Sequence, residues 1–195
     1  MFNFLDPQFL ISTFGLLGVI GIVFAESGLF FGFFLPGDSL LFTAGLLASQ
    51  GYLDPILLFG GVIIAAVLGD NVGYAFGKKI GPAIFTKDDS FFFNKKYITL
   101  ANNFYEKHGN KTIVLARFLP IVRTFAPIMA GVGMMNYKQF VTYNCLGGIL
   151  WATLFVGGGF ILGTIVPGIE RYLLLIIAII VFSSFLPGLW HLLKR

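Results

Sequence analysis

Phe30–Gly45 has the sequence FFGFFLPGDSLLFTAG, a run apolar enough for a membrane but with Pro36, Gly37 and Asp38 at its centre. A proline removes one helix hydrogen bond and clashes with the preceding turn, so this run predicts two short helices instead of one straight span. Broken helices occur at membrane depth only where protein or a water-filled cavity covers the freed backbone. The stretch therefore predicts a re-entrant hairpin inside a helical membrane protein.

A second stretch, Ile113–Met135, has the same character, with Arg117 and Arg123 placed close to Pro120 and Pro127. The triplet Phe-Leu-Pro and the pair Ala-Gly occur in both stretches in the same order. A hairpin and a glycine-bearing span, repeated after an odd number of crossings, form an inverted repeat of the kind found in many transporters. The sequence thus predicts an all-α polytopic membrane protein with two opposed re-entrant hairpins in an inverted repeat.

Composition supports the membrane class independently. Hydrophobic residues make up 57% of the chain, only 11% is charged, and the mean hydropathy is +0.88, whereas soluble domains are about 25% charged. Cys145 is the single cysteine, which excludes an intrachain disulfide and a multi-cysteine metal site. No nucleotide-binding glycine loop, HExxH, GxSxG or nucleic-acid motif is present. We expect a protein that is not an enzyme and uses no metal, cofactor or nucleic acid.

The whole chain is predicted to form one membrane domain. Its half-repeats cover about 26–81 and 113–166, joined by a connector at 82–112, and a C-terminal transmembrane helix covers 172–193. Within the connector, Lys95–Lys111 places apolar residues at helical spacing, which is typical of an amphipathic helix on a membrane surface. A solvated connector is the alternative.

Lysine placement orients the chain. The stretch 78–111 holds seven lysines against three acids, and the chain ends in Lys194-Arg195. Positively charged loops stay in the cytoplasm, so both regions are expected there. If Ile113–Met135 crossed, the C-terminus would lie outside. If it re-enters, two crossings remain and the C-terminus is cytoplasmic. We therefore expect a multi-pass protein of the inner (plasma) membrane with a cytoplasmic C-terminus.

Four ionisable residues lie within or beside the apolar runs: Glu26, Asp38, Arg117 and Arg123. A charge at the bilayer centre costs roughly 2.5–3.5 kcal/mol on insertion scales, so these residues need partners or a function. The planar fork of arginine suits phosphate, and Arg117 and Arg123 are predicted to bind one headgroup phosphate together. Glu26 and Asp38 are predicted to neutralise the arginines or to take up protons. The alternative is a pair of structural ion pairs that lock the hairpins together.

Other residues are expected to support this site. Asp70 could reach it, or pair with a buried Asn or Arg, and Asn144 and Trp151 are expected to pack and form hydrogen bonds. Four glycines beside Asp70 lie four residues apart, a spacing that lets another helix approach closely: Gly69, Gly73, Gly77 and Gly81. The residues that break the helices around the site are Pro36, Gly37, Pro120 and Pro127.

At these residues the chain resembles the DedA family of membrane proteins, which shares a domain with lipid scramblases of the eukaryotic endoplasmic reticulum. The resemblance covers roughly residues 15–165. The matching pieces are Phe24-Ala25-Glu26, FFGFFLPGDSLLFTAG, GDNVGYAFGKKIG, Ala116–Pro120, Arg123, Pro127, Ala130-Gly131, Asn144, Gly147-Gly148 and Trp151. It implies opposed re-entrant hairpins, functionally essential acids and arginines, and movement of phospholipid-type lipids between leaflets. Members resemble translocases of undecaprenyl phosphate or phosphatidylethanolamine, with dependence on the proton gradient.

We therefore expect a lipid transporter that performs no covalent chemistry. Its expected partner is a membrane phospholipid or a polyprenyl phosphate, with proton coupling and a homo-oligomer left open. The rival hypothesis is a proton- or ion-coupled secondary transporter that affects membrane homeostasis indirectly. An intramembrane phosphatase or transferase is disfavoured, because no nucleophile or metal cluster stands out in the sequence.

The lysine distribution yields a topology test in a Cys145→Ser background. With Tyr52→Cys, Lys95→Cys or Lys194→Cys as the single cysteine, an impermeant thiol reagent added outside should label position 52 and spare the other two. Labelling of position 194 but not 95 would show that Ile113–Met135 crosses the membrane, and the inverted repeat would be wrong.

Overall fold

The regular structure is helical throughout the segments that the computed structural model describes, which are residues 7–28, 37–84, 111–166, 168–172, 175–176 and 178–179. In chain order the helices are α1 (Pro7–Gly28), α2 (Gly37–Ser49), α3 (Pro55–Ile84), α4 (Lys111–Ala116), α5 (Pro120–Val132), α6 (Tyr137–Ala152) and α7 (Gly158–Ile165). A π-helical turn, Thr153–Gly157, joins α6 to α7, and a 3-10 turn, Ile169–Tyr172, follows α7.

Two of the described helical stretches are long and apolar enough to cross a membrane, Pro55–Ile80 in α3 and Tyr137–Ile165 through α6 and α7. Both have side-chain caps. Asp54 accepts hydrogen bonds from the backbone N–H groups of the second and third residues of α3, at 2.9 Å each. Asn136 does the same for α6, at 3.0 and 3.4 Å. These caps satisfy N–H groups that have no partner within the helix.

Helices α2 and α5 are short, with 13 residues each. Such a helix is about 20 Å long, less than the hydrocarbon core of about 30 Å. Helix α5 begins at Pro120, and a turn from Arg117 to Leu119 separates it from α4. The second stretch is therefore a broken helix, as Pro120 predicted. Pro127 was also expected to break the helix, but it lies inside α5, which continues to Val132. Helix α2 likewise begins at Gly37, whereas Pro36 lies outside the described residues.

The all-helical membrane class agrees with the sequence prediction, but two helices extend beyond the apolar runs at 56–77 and 140–166 from which they were predicted. Helix α3 continues to Ile84, past the predicted end of the apolar run at Gly77, because lysine is a good helix former and does not end a helix. Helix α6 begins at Tyr137, where the Asn136 cap places its start. The amphipathic helix and most of the C-terminal helix lie outside the described residues, and the re-entrant paths and inverted repeat stay predictions.

The two halves of the chain exchange their short helices. Helix α2, from the first half, packs on the π-helical turn and α7, whereas α5, from the second half, packs on α3. The largest buried apolar cluster likewise combines side chains of α1, α2 and α3 with Trp151, Ala152 and Val156. Neither half therefore packs on itself alone.

Glycines allow these exchanged contacts. A Cβ at Gly77 of α3 would overlap the backbone of Ile128 in α5, and one at Gly45 of α2 would overlap Val156. Gly69 lies equally close to α1, against Ser27. In the absence of a strong hydrophobic force between helices in lipid, such close backbone approach is what associates them. Gly69 and Gly77 of the α3 stripe thus allow another helix to approach closely, as predicted.

Gly77→Ala should destabilise the protein, because the new methyl group meets backbone that cannot move aside. Overpacking of this kind costs about 1–3 kcal/mol. Gly60→Ala, in the same helix but with no atom within 4 Å of the added Cβ, is the matched control and should be neutral or stabilising. Thermal unfolding in detergent measures both. Equal melting temperatures for the two variants would contradict the close α3–α5 contact.

Candidate functional site

Arg123 is the centre of a buried charge cluster. It lies in α5, and its Nη1 donates a hydrogen bond to Oδ1 of Asp38 at 2.6 Å, while its Nη2 donates to Oε1 of Glu26. All three side chains are buried. Glu26 comes from the end of α1 and Asp38 from the first turn of α2. One guanidinium group therefore ties two helices of the first half to the second half.

Arg117 forms a second, separate pairing. It lies in the turn between α4 and α5, where its Nη2 donates to Oδ2 of Asp70 and, at 2.5 Å, to Oδ1 of Asn144. Asn144 is held in turn, because its Nδ2 donates to the carbonyl of Val67 in α3 at 3.1 Å. A buried charge in this setting needs such additional hydrogen bonds to offset its lost hydration.

Trp151 of α6 connects the two pairings. Its indole Nε1 donates to the same Asp38 oxygen that accepts from Arg123, at 2.9 Å. The guanidinium carbons of Arg117 and Arg123 lie 5.9 and 5.3 Å from its ring centroid, within cation–π range. The sequence predicted packing and hydrogen bonding for Trp151. The sequence feature that could have predicted its bond to a buried acid was a lone indole N–H in an apolar span, because such a group needs an acceptor.

The structure differs from the sequence expectation in the partner of Arg117. Glu26 and Asp38 were expected to neutralise both arginines, but both acids pair with Arg123, and Asp70 pairs with Arg117. The reason is position: α5 brings Arg123 to the start of α2, whereas the preceding turn faces the middle of α3.

A cavity of about 10 Å³ lies between the two arginines, enough for about one water molecule. Nη1 of Arg117 and Nε of Arg123 are buried and have no hydrogen-bond partner among the described residues. Leaving a buried donor unsatisfied costs about 1–3 kcal/mol, and more for a charged group. Both side chains line this cavity, together with Ser27, Asp70, Pro127 and Trp151.

Comparison with known proteins places this chain in a family. A sequence profile of the VTT domain matches residues 35–161. The chain is 46% identical over 196 residues to the uncharacterized membrane protein ML0287 of Mycobacterium leprae, covering 96% of this chain and 87% of that protein. It is 46% identical over 176 residues to Protein DedA of Escherichia coli, covering 89% and 80%. The chain belongs to the DedA family.

A more distant relative is the inner membrane protein YghB of Escherichia coli, 34% identical over 150 residues, which cover 77% of this chain and 68% of YghB. No solved structure matches. The DedA-family chain is thus a membrane protein, and its VTT domain contains Asp38, Asp70, Arg117 and Arg123 but begins after Glu26.

Among the residues that the structure describes, the cluster contains more acids than bases. Three carboxyl groups, those of Glu26, Asp38 and Asp70, face two guanidinium groups. The second oxygen of Glu26, Oε2, is buried without a hydrogen-bond partner among the described residues. It lies beside Gly37, where any Cβ would overlap the carboxylate. Gly37 therefore makes room for Glu26 at the start of α2. Within the described segments no group of three His, Cys, Asp or Glu residues could hold a metal ion.

A double-mutant cycle tests the assignment of partners. Asp70→Asn leaves Arg117 buried without a counter-charge, which costs about 3–5 kcal/mol. Adding Arg117→Gln should lower the combined cost below the sum of the single costs, since contacting residues couple by about 0.5–3 kcal/mol. Asp70→Asn with Arg123→Gln is the control pair and should be closer to additive. A larger coupling in the control pair, measured by thermal unfolding in detergent, would contradict the pairing.

Proposed function

We propose that this DedA-family protein moves a phosphate-bearing lipid between the leaflets of the inner (plasma) membrane, without covalent chemistry. The observation that carries the proposal is the pair of buried arginines, Arg117 and Arg123. Both line the same cavity, and each has one guanidinium nitrogen with no hydrogen-bond partner among the described residues. Guanidinium groups bind phosphate through parallel hydrogen bonds. Two of them at one place form a site for one headgroup.

Carboxylates and phosphate compete for the arginines in this mechanism. The cavity is too small for a phosphate. The acids hold three of the guanidinium nitrogens: Asp70 pairs with Nη2 of Arg117, Asp38 with Nη1 of Arg123, and Glu26 with Nη2 of Arg123. A phosphate enters by displacing carboxylates, and the carboxylates return when it leaves. The arginines thus keep a negatively charged partner throughout the cycle, which avoids the large cost of an unpaired charge in a low-dielectric site.

The path of the lipid follows from the proposed inverted repeat. Two helices of 13 residues, each too short to cross, carry Asp38 at the start of one and Arg123 in the first turns of the other. Each packs on the long helix of the opposite half. This reciprocal packing supports two re-entrant hairpins that meet near the midplane, as in transporters with broken helices. In this arrangement the 82–112 connector and the C-terminus are cytoplasmic.

The chemistry at the site selects a phosphate group and not a particular lipid. Phosphatidylethanolamine and undecaprenyl phosphate, the lipids that the family resemblance suggests, share that group. We propose lipids of this kind as substrates, because the two guanidinium groups that line the cavity, those of Arg117 and Arg123, recognise phosphate and not the rest of the lipid.

The excess of acids favours a second candidate, a proton- or ion-coupled secondary transporter. Among the described residues of the cluster, three carboxyl groups share two guanidinium groups, so acidic groups outnumber basic groups by one. A proton or a cation could supply the balance and couple transport to an ion gradient. Vesicles that contain the protein and a trapped pH indicator separate the candidates. Proton flux without lipid movement would favour ion transport alone.

Arg117→Lys separates phosphate binding from structural pairing. Only Nη2 of Arg117 bonds to Asp70 and Asn144, and an ammonium group can replace that single nitrogen. Lysine cannot supply the second nitrogen, Nη1, which is buried without a hydrogen-bond partner among the described residues. We expect nearly unchanged thermal stability but lipid movement reduced at least about tenfold, the worth of a hydrogen bond to a charged group.

Reconstituted vesicles with a fluorescent phospholipid provide the measurement for this variant. Leu115→Ala, in neighbouring α4 at a side chain that is 66% exposed, is the control and should move lipid at the wild-type rate. Wild-type rates for Arg117→Lys would contradict the phosphate site. A charge swap between Asp38 and Arg123 is a poorer test, because Glu26 would then face a second acid.

A further inference from the structure

A groove on the outer side of α3 is separate from the charge cluster. It has a volume of about 610 Å³, within the range of roughly 300–1,000 Å³ that is usual for ligand pockets. One wall carries Leu68, Val72, Ala75 and Lys79 of α3. At about 100° per residue, these four positions lie on the side of α3 opposite Asp70. The other α3 residues that line the groove, Asn71, Tyr74 and Lys78, lie between that side and Asp70. The groove has no described lining residue in common with the cavity between the arginines.

The two ends of the groove differ in polarity. Leu68 and Val72 are about half exposed, and Phe24 of α1 lies beside them. Lys78 and Lys79 line the other end and are exposed. They directly follow the apolar run of α3, which ends at Gly77. The lysines therefore lie at the membrane surface and the apolar end lies deeper.

The length of the groove matches one leaflet. Leu68 and Lys79 are eleven positions apart on a continuous helix, a rise of about 16 Å. The hydrocarbon of a single leaflet is about 15 Å thick, half of the bilayer core. An acyl chain that runs along Val72 and Leu68 would thus end near the midplane while its headgroup remains beside the lysines.

We propose that this groove binds one anionic phospholipid from the leaflet on the lysine side, with an acyl chain along α3 and its phosphate between Lys78 and Lys79. Charge complementarity decides the occupant, because no acidic side chain lines the groove among the described residues. Basic side chains near the surface attract anionic headgroups by about 1 kcal/mol each. The site goes beyond the proposed transport function and does not depend on it.

Lipid-dependent thermal stability of the purified protein tests this site, because a ligand that binds only the folded state raises the melting temperature. Phosphatidylglycerol should stabilise the wild type at lower concentration than phosphatidylcholine. The double variant Lys78→Gln/Lys79→Gln should weaken the response to phosphatidylglycerol by roughly 30-fold. Lys111→Gln/Lys138→Gln removes two exposed lysines outside the groove and is the matched control, which should respond as the wild type does.

Two further variants test whether the groove itself binds lipid. Ala75→Trp fills the groove and should reduce the response to both lipids, with Val72→Trp as the substitute if the first variant does not fold. Leu115→Ala, at an exposed position outside the groove, should leave the response to phosphatidylglycerol unchanged. Equal responses of the wild type to both lipids, loss of the response in Leu115→Ala, or equal behaviour of the two double lysine variants would overturn the proposal.

Discussion

A charge buried in a membrane protein has to be paired, and here each ion pair among the described residues joins the first half of the chain to the second. The acids Glu26, Asp38 and Asp70 all belong to the first half, whereas Arg117 and Arg123 belong to the second. Among the described residues, no ion pair lies within one half. Breaking one buried pair costs about 3–5 kcal/mol, so the charges determine that the halves associate and in which register.

The helix breaks make these pairings possible. Arg117 lies in the turn before α5, and Asp38 lies in the first turn of α2, so both side chains reach the cluster from helix ends. Gly37 leaves space for the Glu26 carboxylate at that same end. The close contacts of Gly45 with Val156 and of Gly77 with Ile128 then hold the exchanged short helices against the long ones. Backbone shape and charge pairing thus depend on the same few positions.

Much of this arrangement could be predicted from the sequence, because it follows from local chemistry. Hydropathy gives the membrane class, Pro120 gives the break before α5, and the cost of burying charge singles out Arg117, Arg123, Glu26 and Asp38. The extension of α3 to Ile84 was missed because a polar composition does not end a helix when lysine favours one.

The partners within the cluster could not be predicted, because they depend on how the helices pack and not on sequence spacing. Asp70 and Arg117 are 47 residues apart, and Trp151 lies 113 residues from its acceptor Asp38. Helical periodicity shows which face a residue occupies but not which helix covers that face. The groove beside Lys78 escaped prediction for the same reason, since Phe24 and Tyr137 come from other helices.

The central claim is that the paired arginines recognise the phosphate of a lipid headgroup. The most direct measurement compares two fluorescent lipids, each labelled on an acyl chain, in vesicles that contain the wild-type protein. One is phosphatidylethanolamine, and the other has a neutral sugar headgroup and no phosphate. The account predicts that the protein accelerates movement of the phosphate-bearing lipid between leaflets and leaves the sugar lipid at the rate of protein-free vesicles. Equal acceleration of both lipids, or of neither, would contradict it.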